Sequence, residues 1–241
     1  LNNEFLDKLK NLHTTGTYKL EPTQFLKIKD SARDGNCFFH SFYKSVQSQL
    51  YNKEIDDSID NDNLKGINLL KSRVSEKLDE IIKHIKSWNN GPTFIRELNE
   101  KRQRNIFSET RKTFGSHTWA DHYTAFIVGI CFGIRIYLVS SILKDSELGF
   151  RKDILNTESN KKENKSLFAG VDINSFYRSY YGPAFNELPE VFIYFNGINH
   201  FEPIYRIDNP YNTPIVYDKS KSSKTSKSPN NSNSTTSSKT P

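Results

Sequence analysis

Residues Glu190–Asn196 read EVFIYFN, with five apolar side chains in a row and no polar face. An alternating strand can keep one side in water; a continuous apolar strand belongs inside a sheet, covered on both faces. The chain must therefore supply a covering layer, and helical patterns elsewhere provide one. Ile67, Leu70, Val74, Leu78, Ile81, Ile85 and Trp88 step by 3, 4, 4, 3, 4 and 3, and Asn90-Gly91-Pro92 is expected to stop that helix. Phe39, Phe42, Tyr43, Val46 and Leu50 mark a second helix from about Cys37 to Leu50. Trp119–Gly133 reads as a largely apolar helix that leads into a buried strand at Ile134–Val139. One further helix is expected from Thr93 to about Thr110, with short strands at Gln24–Lys29 and His200–Ile207. Pro203 marks the last of these as an edge or a bulge. The fold class expected is α/β (α+β).

Composition matters mainly for what it excludes. The net charge of +6 comes from 34 Lys+Arg against 28 Asp+Glu, but five of those Lys lie in residues 219–241, leaving 29 against 28 in the rest. Basicity is thus a property of the tail, and no nucleic-acid partner is expected. Lys101-Arg102-Gln103-Arg104 reads as a solvated helix face. Residues 1–22 are expected to form an N-terminal helical extension, 23–217 the main domain with a mobile insertion at 144–166, and 218–241 a disordered tail. No run approaches the roughly 18 apolar residues of a membrane span, and Glu4 and Asp7 interrupt the first apolar segment, unlike a secretion signal. Two Cys in 241 residues are too few for a disulfide scaffold. A reduced, cytoplasmic monomer is expected. His117 and His122 lack helical zinc spacing and no CxxC occurs, so neither metal nor cofactor is expected.

With thiols so scarce, the surroundings of each are informative. Cys37 follows Asp34-Gly35-Asn36 and opens a helix, where unpaired backbone N–H groups and the helix dipole favour thiolate. Gly35 permits a sharp turn that would point N–H groups inward as an oxyanion hole. Cys37 is either a nucleophile or a small buried hydrophobe. Cys131 lies in AFIVGICFGI, where burial silences a thiol, and reads as core filler. A nucleophile needs a base. His13, His40, His84 and His117 read as solvated or packing residues, and His122 as structural. His200 heads a strand beside the strongest central strand, and Glu202, two residues on, projects to the same side. That spacing suits a carboxylate that orients the ring.

These residues carry a resemblance. Asp34-Gly35-Asn36-Cys37-Phe38-Phe39-His40-Ser41 resembles the nucleophile motif of the ovarian tumour (OTU) family of cysteine proteases. Trp119-Ala120-Asp121-His122-Tyr123-Thr124, running into Ile134–Val139, is similar to the family's WGDH-type helix-then-strand, and Asn199-His200-Phe201 to its histidine motif. The three blocks come in the family's order. The resemblance implies a papain-like fold, its central and mostly antiparallel sheet flanked by helices. It implies a deubiquitinase that cleaves isopeptide bonds at the C-terminus of ubiquitin or polyubiquitin, or of a ubiquitin-like modifier. Carried over residue by residue, Cys37 is the nucleophile, His200 the general base, and the loop Asp34, Gly35, Asn36 and Cys37 the oxyanion hole. The third member is Asp34 or Glu202, the latter one methylene longer than the Asp or Asn the family more often carries there. Trp119, Tyr180 and Tyr181 are candidates to line a narrow channel for the substrate tail, although core packing is the plainer job for Trp119. The alternative is a catalytically weak OTU-like module that binds ubiquitin or another partner.

Overall fold

The structure is a computed structural model that describes residues 25–31, 33–51, 61–102, 106–115, 119–140, 150–152, 165, 167–168 and 170–207, all within the compact unit Leu1–Pro210. The expected extension at 1–22, most of the 144–166 insertion and the tail at 218–241 lie outside the described residues. In chain order the elements are β1 (Phe25–Ile28), α1 (Cys37–Tyr51), α2 (Asn61–Ser87), α3 (Gly91–Arg102), α4 (Ile106–Gly115), α5 (His122–Phe132), β2 (Arg135–Val139), β3 (Phe150–Arg151), α6 (Ile173–Tyr181), a 3-10 helix (Gly182–Glu187), β4 (Glu190–Phe195) and β5 (Phe201–Ile207).

The strands form one five-stranded sheet in the order β2-β4-β5-β1-β3. β2 runs parallel to β4, and the other three pairs are antiparallel. The chain is thus a mixed helix-and-strand protein with a mixed sheet flanked by helices. β4 lies inside the sheet, as its apolar run requires, and its two faces are covered differently. Val191, Ile193 and Phe195 enter the main core with side chains from α1 to α6. Phe192 and Tyr194 face a smaller cluster built from the sheet's own Leu26, Val139, Phe150 and Ile204. All seven residues of the long helical stripe are buried, six on α2 and Trp88 just past its end.

Several boundaries differ from expectation for local reasons. The segment after α2 is not one helix but two, α3 and α4, with Gly91-Pro92 opening α3. Gly91 is required there, since a Cβ would lie 1.9 Å from the Ile85 carbonyl oxygen. α5 starts at His122 rather than Trp119 because Asp121 caps it: its side chain accepts from the Thr124 N–H, and Thr124 Oγ1 accepts from the Asp121 N–H. Gly133 ends α5 at φ 65°. β5 is the middle strand and not an edge. Pro203 falls where β5 leaves β4 after three pairs and continues on β1, and the Lys29 N–H donates to its carbonyl.

α1 seals that change of partner. Gln49 donates to the carbonyls of Phe192 (2.8 Å) and Ile204 (2.6 Å) and accepts from the Phe192 N–H (3.0 Å), bridging β4 and β5 where they part. Ser45 and Ser48 accept from the N–H groups of Ile204 and Arg206. These polar residues on a buried helix face satisfy backbone groups that would otherwise be desolvated without partners. The result fixes α1, and hence Cys37 at its start, against the two strands joined by the turn that carries His200.

Candidate active site

The Asn36 carbonyl accepts from the His40 N–H (3.0 Å), so Asn36 caps α1 and Cys37 is its first helical residue. Gly35 sits at φ 81°, a conformation that a side chain would strain. Asp34 holds the loop closed. One carboxylate oxygen accepts from the Asn36 N–H at 2.9 Å, and the other lies 2.9 Å from His40 Nε2. From α2, Lys71 Nζ donates to Asn36 Oδ1 at 2.9 Å and lies over the Phe39 ring. The loop is therefore pinned by two helices, through His40 and Lys71, which the sequence reading did not select. The signals were present. Lys71 lies four residues after Ile67 on the buried stripe of α2, where a cation needs an acceptor, and His40 lies one helical turn beyond Cys37.

Partial burial opposes ionisation of Asp34, but the hydrogen bonds from His40 and the Asn36 N–H outweigh it and hold the carboxyl below its ordinary value. Burial pushes the Lys71 ammonium down, with the Asp34 charge offsetting part of the effect. A depressed folded pKa means that Asp34 contributes stability above the ordinary carboxylate value and loses it as pH falls through the folded value. Asp34→Asn is expected to lower stability at pH 7 and to flatten the loss of stability below about pH 4, read by urea unfolding across that range.

Cys37 Sγ lies 3.9 Å from the carbonyl oxygen of Asn199, which brings together residues 162 apart in sequence. The cysteine is 5% exposed. Burial pushes its thiol up; the N–H groups of Phe201, Phe38 and Cys37 pull the other way without prevailing, and the Asp34 charge adds to the rise. The thiolate bias expected from the helix terminus is thus overridden by desolvation, and at rest the sulfur is a thiol facing the Asn199 carbonyl. His200 Nε2 is 3.6 Å from Glu202 Oε1, close but longer than a hydrogen bond, and Glu202 is buried. Strand alternation places the carboxylate beside the ring as its spacing predicts. Asp34, by contrast, is committed to His40 and Asn36.

The remaining expected site residues divide. In the loop expected to form the oxyanion hole, the Asn36 N–H is spent on the Asp34 carboxylate. Trp119 does not pack in the core as anticipated: it is 53% exposed, on the segment just before α5. His122, three residues on, sets its ring against Phe168 and Phe195, beside the turn that carries His200. Tyr180 and Tyr181 are not brought to Cys37. The Tyr180 hydroxyl donates to Glu80 (2.9 Å) and its ring packs on Phe176 and His84. The Tyr181 hydroxyl donates to the Ile130 carbonyl, at the end of α5 opposite His122. These two tyrosines tie α6 to α2 and α5, and their expected channel role is replaced by packing.

Cys131 Sγ faces the Arg73 carbonyl, and burial pushes its thiol up to about 12, so it is inert at neutral pH. Both cysteines are free. Among the described residues, no helix is long and apolar enough to cross a membrane, and no group of three or more His, Cys, Asp or Glu is arranged to hold a metal ion. No family model, curated protein or solved structure matches the chain.

Proposed function

We propose that the chain is a thiol-dependent deubiquitinase of the OTU type, with ubiquitin or polyubiquitin as its partner and a papain-like arrangement of the sheet and helices. The observation that carries this reading is the approach of Cys37 Sγ, on its capped and glycine-turned loop, to within 3.9 Å of the carbonyl oxygen of Asn199, the residue before His200. Two motifs that resemble the same family meet there, as a nucleophile and base must. The protein acts in the cytoplasm as a monomer.

The chemistry follows from the residues. His200 takes the proton from the Cys37 thiol, and the thiolate attacks the terminal glycyl carbonyl of ubiquitin. N–H groups of the Asp34–Cys37 loop hold the oxyanion, while Glu202 stabilises the imidazolium. The imidazolium then protonates the leaving lysine amine, and water, deprotonated by His200, releases ubiquitin from the thioester. Ubiquitin carrying a fluorogenic amide at its C-terminal glycine tests the proposal. The wild-type chain is expected to release the fluorophore, and an absence of release contradicts the reading. A second reading, a ubiquitin-binding module without turnover, is favoured by the burial of Cys37 and its raised thiol pKa. Under it, ubiquitin binds and no fluorophore is released.

A further inference from the structure

We infer that Asn196 is the positioning residue that presents His200 to Cys37, an assignment that rests on the Cys/His reading above. Asn196 follows the last residue of β4, and its Oδ1 accepts three backbone hydrogen bonds in succession: from Ile198 (2.9 Å), Asn199 (2.9 Å) and His200 (3.0 Å). Its own N–H donates to the His200 carbonyl (3.0 Å), and its Nδ2 donates to Asn199 Oδ1 (3.3 Å). Gly197, at φ 81°, lets the chain reverse inside this net.

Burial does not hold the turn. Asn196, Gly197, Ile198 and Asn199 are all exposed, Ile198 at 80%. A single side-chain amide therefore fixes the peptide whose carbonyl faces Cys37 Sγ and sets the backbone of His200. Without it, three N–H groups turn to water, and the turn samples conformations that move the Asn199 carbonyl and the His200 backbone away from Cys37. A misplacement of about 1 Å at such a pair can cost on the order of a hundredfold in rate. The fold has little stake in the same contacts, because the turn buries no apolar surface.

The test uses the full chain in a Cys131→Ala background and measures alkylation of Cys37 by iodoacetamide at pH 7. Asn196→Ala is expected to slow alkylation by about tenfold or more, as His200→Ala does, because the thiol loses its base. Asn196→Asp keeps the accepting oxygen and is expected to stay within about threefold of the parent, with melting temperatures unchanged in both variants. Alkylation of Asn196→Ala at the parent rate overturns the inference, as does an Asn196→Asp variant as slow as the alanine. A slow Asn196→Ala variant that also melts at a clearly lower temperature assigns the residue to the fold and overturns it too. Turnover of the ubiquitin amide on the same variants is a separate readout, with the loss expected in kcat and KM little changed. Alkylation decides the role of Asn196 whether or not the wild type cleaves ubiquitin.

Discussion

Cys37→Ala is expected to abolish cleavage of ubiquitin conjugates, with turnover reduced by at least about a thousandfold, because no other group at the site can form the acyl intermediate. Cys131→Ala is expected to turn over substrate like the wild type, since its sulfur lies in the core with a pKa near 12. His200→Ala is expected to be nearly as damaging, for a reason specific to this site. Burial raises the Cys37 thiol above its ordinary value, so the sulfur does not ionise unaided at neutral pH. Removal of the base leaves only the small fraction of thiolate that the solvent pH allows. The sign of the pH dependence follows. While the thiol stays mostly protonated, residual turnover of His200→Ala should climb about tenfold per pH unit between pH 7 and 9. Initial rates with the fluorogenic ubiquitin substrate across that range read both parts. A flat profile in His200→Ala would mean that the thiol is already ionised at rest.

The second large effect is on stability. Gln49→Leu is expected to destabilise the domain by about 3–5 kcal/mol, because it leaves the Phe192 N–H and the carbonyls of Phe192 and Ile204 buried and without their hydrogen bonds. Against a typical domain stability of about 5–15 kcal/mol, that is a large share. Ser48→Ala, which removes one acceptor from the partly buried Arg206 N–H, is expected to cost nearer 1 kcal/mol. Urea unfolding of the two variants compares them directly. A loss below that of Ser48→Ala would show that water or a strand shift satisfies the gap. Because α1 carries Cys37 and β4 and β5 carry the His200 turn, Gln49→Leu should also loosen the two halves of the site relative to each other.

Some of this was legible in the residues and some was not. The stripe on α2, the apolar β4 and the apolar body of α5 announced themselves, since burial leaves a trace in the pattern of apolar residues. The motif blocks singled out Cys37 and His200, and the structure brings the Cys37 sulfur to the residue before His200. What escaped were single polar residues whose role depends on a distant partner. Gln49 looks like any helix-surface glutamine until β4 and β5 are seen to part beneath it. His40 and Lys71 are ordinary in sequence and acquire meaning only where Asp34 and Asn36 fold back on them. Tyr180 and Tyr181 failed in the opposite way: aromatic residues near the right stretch of chain suggested a channel, and the path of α6 takes them to the far end of α5. The single helix expected over 93–110 is two, Gly91–Arg102 and Ile106–Gly115, a boundary that propensity alone does not define.

The proposed reaction is attack by Cys37 on the carbonyl at the C-terminus of ubiquitin. It is tested most directly by incubating the full chain with ubiquitin whose C-terminal glycine carries a thiol-reactive electrophile, then mapping the adduct by mass spectrometry. A covalent ubiquitin adduct on Cys37 is expected, retained in Cys131→Ala and lost in Cys37→Ala. Tight binding of the probe with no adduct, or an adduct on Cys131, would contradict it.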